Sequence, residues 1–347
     1  MNGKMKALMK TRAASGAELI EVDIPSIGPN DVLVKVKAAS ICGTDVHIYT
    51  WDPWSQGRIK PPMIFGHEFA GEVVAIGQQV TSVQVGDYVS AEGHFVCDTC
   101  IQCRTGQAHI CQRVAILGVD TNGCFAEYVA IPEKNIWHND PETPPELASI
   151  QDPMGNAVHT VFAGGDVVAK RVLVVGCGPI GIFAVAVAKA AAAAEVYAME
   201  VNEYRLELAQ RLGANRVINP TKEDPVQVIM ELTGGTGVDV MLEMSGNPRA
   251  IDQGFKALRY GGRAALLGLP SQPIEFDLSD NIVFKGAEVY GVTGRRMWDT
   301  WFKMKGLFKS GLLNVGPVIT HKFPLEEFEK GFELMISGNC GKIVLIP

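Results

Sequence analysis

Two short stretches bring together side chains able to hold a catalytic metal. Cys42-Gly43-Thr44-Asp45-Val46-His47 and Gly66-His67-Glu68 supply thiolate, imidazole and carboxylate donors from separate parts of the chain. Catalytic zinc takes three protein ligands and keeps a fourth position for water or substrate. Cys42 and His67 are the firmest ligands, and the third is Glu68 or Asp152. A denser group follows, because Cys97, Cys100, Cys103 and Cys111 fall within fifteen residues. Four thiolates at that spacing can wrap one tetrahedral zinc and leave it no open position, so this metal is expected to be structural. Crowding of this kind points to metal binding in a reducing compartment more than to a disulfide framework. The other cysteines, Cys124, Cys177 and Cys340, are expected to be small apolar residues.

A third constellation concerns a nucleotide. Gly176-Cys177-Gly178-Pro179-Ile180-Gly181 fits G-x-G-x-x-G. The pattern is weak alone, but here it follows a predicted strand and opens a predicted helix. The first glycine permits the tight turn, the second lets a pyrophosphate approach the backbone, and the third allows close helix–strand packing. The pyrophosphate is expected on the helix N-terminus, where free N–H groups and the helix dipole favour an anion. Glu200 ends the next strand, 24 positions after Gly176. Its carboxylate can accept from the adenine-ribose hydroxyls and would repel a 2′-phosphate, which favours NAD over NADP. Arg205 can pair with a phosphate or lie over the adenine.

These residues need two kinds of scaffold. The first 150 residues are predicted to be β-rich: Asp31 to Lys37 alternates apolar and polar residues, Gly71 to Gly77 is a short apolar run, and Gly86-Asp87 turns into Tyr88 to Ser90. Strands so spaced suggest a compact barrel. Near residue 156 the pattern changes. Arg171 to Val175 is continuously apolar, as expected of a strand buried on both faces. A helix is predicted from Ile180, then strands at Val196 to Met199, Val217-Ile218, Val238 to Leu242, Arg263 to Leu267 and Glu288 to Val292, with helices between them such as Arg205 to Leu212. That alternation implies a parallel sheet. The run Ala190 to Ala194 is expected to prolong its helix, alanine being the best helix former. A last apolar strand, Lys342 to Ile346, is expected to return to the first domain.

Composition agrees with a folded chain of two domains: 347 residues, 47% hydrophobic and 20% charged. A net charge of -7 argues against nucleic-acid binding, which needs a basic face. Met1 to Lys10 holds three lysines and no apolar run of signal-peptide length. The most apolar stretch, Gly176 to Ala194, is interrupted by Lys189 and opened by a glycine pattern, so it is expected to be a buried strand and helix and not a membrane span. A cytoplasmic location is expected.

Cys42-Gly-Thr-Asp-Val-His47, Gly66-His-Glu68, the four-cysteine lobe and the Gly176 to Gly181 turn together resemble the medium-chain zinc alcohol dehydrogenase superfamily over nearly the full chain. The more specific segments Ile41 to Tyr49, Trp51-Asp-Pro-Trp54, Asp152 to Thr160, Asn202 to Leu206 and Thr293-Gly-Arg-Arg296 resemble its threonine-oxidising branch. The resemblance implies an α/β protein: a GroES-like, β-rich catalytic domain (1–155 and 296–347, with a structural zinc lobe at about 94–114) plus a Rossmann doubly wound parallel sheet (156–295). It implies an active site between the domains, a homotetramer, NAD and two zinc ions per subunit. By resemblance Cys42, His67 and Glu68 hold the catalytic zinc, Thr44 and His47 form a proton relay, and Asp152 occupies the place of a carboxylate important for catalysis. Ile180, Glu200, Arg205, Leu267, Gly268, Leu269, Val292 and Thr293 are implied to contact NAD. The implied reaction oxidises the 3-hydroxyl of L-threonine, a small-molecule substrate. A sister activity on a polyol or vicinal diol would share both zinc sites and the nucleotide fold.

Overall fold

The computed structural model describes residues 3–347. The chain divides into two compact units, one running to Pro153 and resuming at Ile319–Pro347, the other Met154–Val318.

The first unit is built on antiparallel strands. Asp31–Ser40 lies at its centre, paired with Glu68–Ile76, with Tyr128–Pro132 and, at its far end, with Lys342–Ile346. The expected return of the C-terminal strand is therefore observed. Register sets the chemistry: Ser40 is opposite Glu68 on one side and Val344 on the other. Lys342 lies two residues from Val344 and so points to the same face of the sheet. Val34, Phe65, Phe69, Phe125, Phe332 and Ile343 are among the fully enclosed side chains of this core. Helix α1 (Gly43–Thr50) follows the central strand, with Cys42 as its N-cap and Asp45 and Ile48 on its buried face. After a tight turn comes α2 (Pro53–Arg58), whose N-cap is Asp52 and whose first residue is a proline.

The second unit holds six parallel strands. Across the sheet they run Arg216–Ile218, Glu195–Met199, Arg171–Val175, Val238–Glu243, Leu258–Leu266 and Glu288–Gly291. Taken in chain order that is 3-2-1-4-5-6, the arrangement of dinucleotide-binding folds. The helix Pro179–Ala190 is apolar almost all round, and its residues Gly181 to Ala188 are buried. Among the described residues no helix is long and apolar enough to cross a membrane.

Two expectations differ from what is seen. The helix does not continue through Ala194; it ends at Ala190, and Ala192 turns left-handed at φ 62. Ala193 N–H donates to the Ala188 carbonyl and Ala192 N–H to that of Lys189, a Schellman closure with alanine where glycine is usual. The stop is imposed by the sheet: Ala194 N–H already bonds to Lys170 O, bringing the next strand beside Arg171. Second, the compact nucleotide-type unit extends beyond 295 to take in 296–318. Trp301 and Met304 of the helix Asp299–Lys309 are fully buried, and Met304 lies over Gly155.

Candidate active site and metal centres

In the first unit, Cys42, His67 and Glu68 each present a ligand atom within 4.8 Å of the others'. Cys42 stands two residues past the end of the central strand as the N-cap of α1, His67 just precedes the strand paired with it, and Glu68 is that strand's first residue. Asp45 orients two of them. Its Oδ2 accepts from Cys42 N–H at 2.8 Å, and its Oδ1 lies 3.7 Å from His67 Nδ1. Glu68 is fully buried. Its Oε2 accepts from Lys342 Nζ and Ser40 Oγ, while Oε1 has no hydrogen-bond partner. His67 Nδ1 and Asp45 Oδ1 are likewise buried without a hydrogen bond, facing each other only at ion-pair distance. An orphaned carboxylate oxygen such as Glu68 Oε1 is costly unless something else satisfies it, and a divalent cation at the donor set of Cys42, His67 and Glu68 would do so. The local field agrees: burial works against a charged His67, yet Asp45 and Cys42 outweigh it and raise the ring to about 10. Burial in turn raises Asp45 to about 6. The set therefore fits a zinc with one open position.

Asp152 lies outside the three-residue set, in the first turn of the helix Gln151–Phe162. It is buried, and its charge acts on both His67 and Cys124. Thr44 and His47 are one helical turn apart on α1, which puts them on one face. Thr44 Oγ1 is 3.9 Å from Cys42 Sγ, and the His47 ring is exposed.

The sulfurs of Cys97, Cys100, Cys103 and Cys111 also converge. Their separations are 3.4 Å (Cys100–Cys103), 3.5 Å (Cys97–Cys111), 3.8 Å (Cys100–Cys111) and 4.0 Å (Cys97–Cys103). Thiolates about 2.3 Å from one tetrahedral zinc would stand roughly 3.8 Å apart. No pair is at bonding distance, and all four are free thiols. The Thr99 amide and hydroxyl and the Arg113 guanidinium favour the thiolate of Cys97 and bring it down to about 4. These residues fit a closed zinc site.

In the second unit the glycine turn sits at the carboxyl end of the strand Arg171–Val175. Gly176 has φ +87, and a side chain on it would press into Ser245; one on Gly181 would overlap the Gly176 carbonyl. Gly178 is the helix N-cap and has open space where a Cβ would be. Ile180 is in the first helical turn. Beside the turn is a cavity of about 290 Å³ lined by Gly176, Glu200, Thr221, Asn247 and Arg249, among others. Glu200 accepts from the backbone N–H groups of Cys177, Val201 and Asn202 at 2.8 to 3.1 Å. Arg205 is not among the lining residues, though its charge reaches Cys177. Leu267, Gly268 and Leu269 follow one strand end and Val292 and Thr293 another, at the same edge of the sheet. Leu269 is 90% exposed, leaving its side chain available to a ligand.

The sequence did not single out Ser40, Asp45 or Lys342 as partners of the ligands, nor Thr221, Asn247 and Arg249 as cavity residues. Asp45 had a local signal, standing three residues after Cys42 in the position of a capping box. Lys342 had none.

Comparison with known proteins agrees with both units. Residues 28–141 match the alcohol dehydrogenase GroES-like domain, and residues 179–310 match the zinc-binding dehydrogenase model. An L-threonine 3-dehydrogenase from Symbiobacterium thermophilum is 59% identical over 344 residues, covering 99% of this chain and 98% of the relative. One from Caldanaerobacter subterraneus subsp. tengcongensis is 57% identical over 348 residues, with all of both chains covered. Among solved structures, 2R,3R-butanediol dehydrogenase from Bacillus subtilis superposes with a TM-score of 0.88 at 29% identity, covering 99% of each chain. Full-length identity is thus about twice as high to the threonine enzymes as to the diol enzyme. The chain belongs to the zinc-binding medium-chain alcohol dehydrogenases, within the L-threonine 3-dehydrogenase family.

Proposed function

We propose that this chain oxidises the 3-hydroxyl of L-threonine to L-2-amino-3-oxobutanoate with NAD as oxidant. The observation that carries the reading is the donor set of Cys42, His67 and Glu68, whose three ligand atoms lie within 4.8 Å of one another; a zinc held by three protein ligands keeps one position for a substrate oxygen. When bound, zinc supplies Lewis acidity to the hydroxyl, and NAD supplies the acceptor for the hydride leaving C3. The chain's own residues do the rest. Cys42, His67 and Glu68 hold the metal, and Asp45 steadies the first two. Thr44, which can both donate and accept, takes the hydroxyl proton, and His47 carries it to solvent. Asp152 balances charge around the metal and helps the site accept the substrate ammonium. Cys97, Cys100, Cys103 and Cys111 hold a second, structural zinc. Gly176, Gly178, Ile180 and Gly181 receive the pyrophosphate, and Glu200 the adenine ribose. Arg205, Leu267 to Leu269, Val292 and Thr293 complete the cofactor contacts.

The chain is proposed to work in the cytoplasm, where four reduced thiols can keep a metal, and as a homotetramer. The test is NADH formation by zinc-loaded protein with L-threonine, sorbitol and 2,3-butanediol, with NADP in parallel. Preference for L-threonine and NAD supports the reading. Preference for the polyol or diol would transfer the chain to a sister activity, and no turnover on any of them would end the catalytic reading.

A further inference from the structure

We infer that Asp52 is the positioning residue of the proton relay, its carboxylate fixing the ring and tautomer of His47. The inference rests on the relay role given to His47 above. His47 Nδ1 lies 2.6 Å from Asp52 Oδ2. An ionised carboxylate only accepts, so a contact this short requires the proton to be on Nδ1. In the neutral ring Nε2 is then bare and able to take a proton.

The carboxylate is itself held. Its other oxygen, Oδ1, accepts from Ser55 N–H at 3.0 Å as the N-cap of α2. One side chain thus serves two partners, and the cap removes the mobility that makes ordinary exposed ion pairs weak. The Asp52 side chain is 29% exposed against 57% for His47, so the partner is more sheltered than the ring it orients. The turn between them is secured from elsewhere. Trp51 ends α1 in a left-handed conformation, φ 61 and ψ 47, and brings Asp52 back over His47. Lys10, buried, donates to Gly16 O at 2.8 Å and Tyr49 O at 3.3 Å, and its ammonium lies 5.0 Å over the Trp51 ring. Capping alone does not require this geometry, since serine or asparagine caps a helix about as well as aspartate. Only the carboxylate both demands the Nδ1 proton and stabilises the cationic ring that forms as the relay fires.

The test uses full-length zinc-loaded enzyme carrying Asp52→Ser or Asp52→Asn, each in wild-type and His47→Gln backgrounds. Both substitutions keep a cap on α2, and asparagine can turn its NH₂ toward Nδ1 and impose the opposite tautomer. Each is expected to lower kcat with L-threonine by roughly 10- to 100-fold, reaching at most the lower end of the range for a positioned proton carrier because the carrier itself is kept. KM for NAD should stay within about twofold, and neither variant should lower kcat further once His47 is glutamine. Full kcat in both Asp52 variants, with His47→Gln impaired, would overturn the inference. Losses that multiply with that of His47→Gln would overturn it too, because Asp52 would then act on the fold and not through the ring. Full turnover by His47→Gln would remove the relay reading itself and the inference with it.

Discussion

Glu68 divides its two carboxylate oxygens between different roles. Oε2 is tied to Lys342 and Ser40, and Oε1, which has no hydrogen-bond partner, is the oxygen proposed to meet a metal. Removing one partner of a buried ion pair strands the other charge at a cost of about 3–5 kcal/mol. Lys342→Met is therefore expected to lose stability of that order in urea unfolding; a loss below about 1 kcal/mol would mean the pair behaves like a surface bridge. Asp152 lies outside the ligand set, and its proposed role is to balance charge around the metal. Asp152→Asn is expected to keep both zinc ions and lose roughly 10-fold or more in threonine turnover. Full turnover at unchanged zinc content would remove its role. The candidate ligands Cys42, His67 and Glu68 and the candidate relay residues Thr44 and His47 were legible because they sit in short motifs whose chemistry is local. Their supports were not. Lys342 is 274 residues from Glu68 and meets it only through strand register, and Asp52 stood in the Trp51-Asp-Pro-Trp54 segment that carried the resemblance without any role attached to it.

At the scale of elements, strands buried on both faces were the easiest to find: Arg171–Val175 and Lys342–Ile346 have the bounds that their apolar runs suggest. Glu68–Ile76 starts earlier than its apolar run, because its first residue is a buried carboxylate that a polarity pattern counts as surface. The end of the helix Pro179–Ala190 was hidden for the opposite reason. Its left-handed closing residue is Ala192, and alanine signals helix. Because an L side chain is disfavoured there, Ala192→Gly is expected to stabilise the protein by about 0.5–1 kcal/mol, after allowing for glycine's looser unfolded state. An unchanged or lower midpoint in urea would show that the turn carries no such strain. The four-cysteine lobe has little core of its own, since Cys97, Cys100 and Cys103 are only half-buried, and the proposed zinc is expected to hold it. Cys100→Ser is expected to drop one zinc per chain and open the lobe to limited proteolysis. Retention of that zinc with an uncut lobe would contradict a four-thiolate site.

At the scale of the whole chain, the change from period-two to strand–helix alternation near residue 156 marked where the second unit begins and implied its parallel sheet, while its Rossmann arrangement was implied only by the resemblance. Where that unit ends was not legible. Residues 296–318 have mixed composition, and only packing reveals that Trp301 and Met304 are core. The two units divide the proposed chemistry between them. One carries the nucleotide turn, and the other carries two metal sites, of which one alone is open to substrate. The most direct test is threonine-dependent NADH formation by wild type and Cys42→Ser, with zinc counted in both. Wild type should hold two zinc ions per chain and turn over L-threonine, and Cys42→Ser should hold only the four-thiolate zinc and form no NADH. A Cys42→Ser protein that still oxidises L-threonine at the wild-type rate would contradict the central claim.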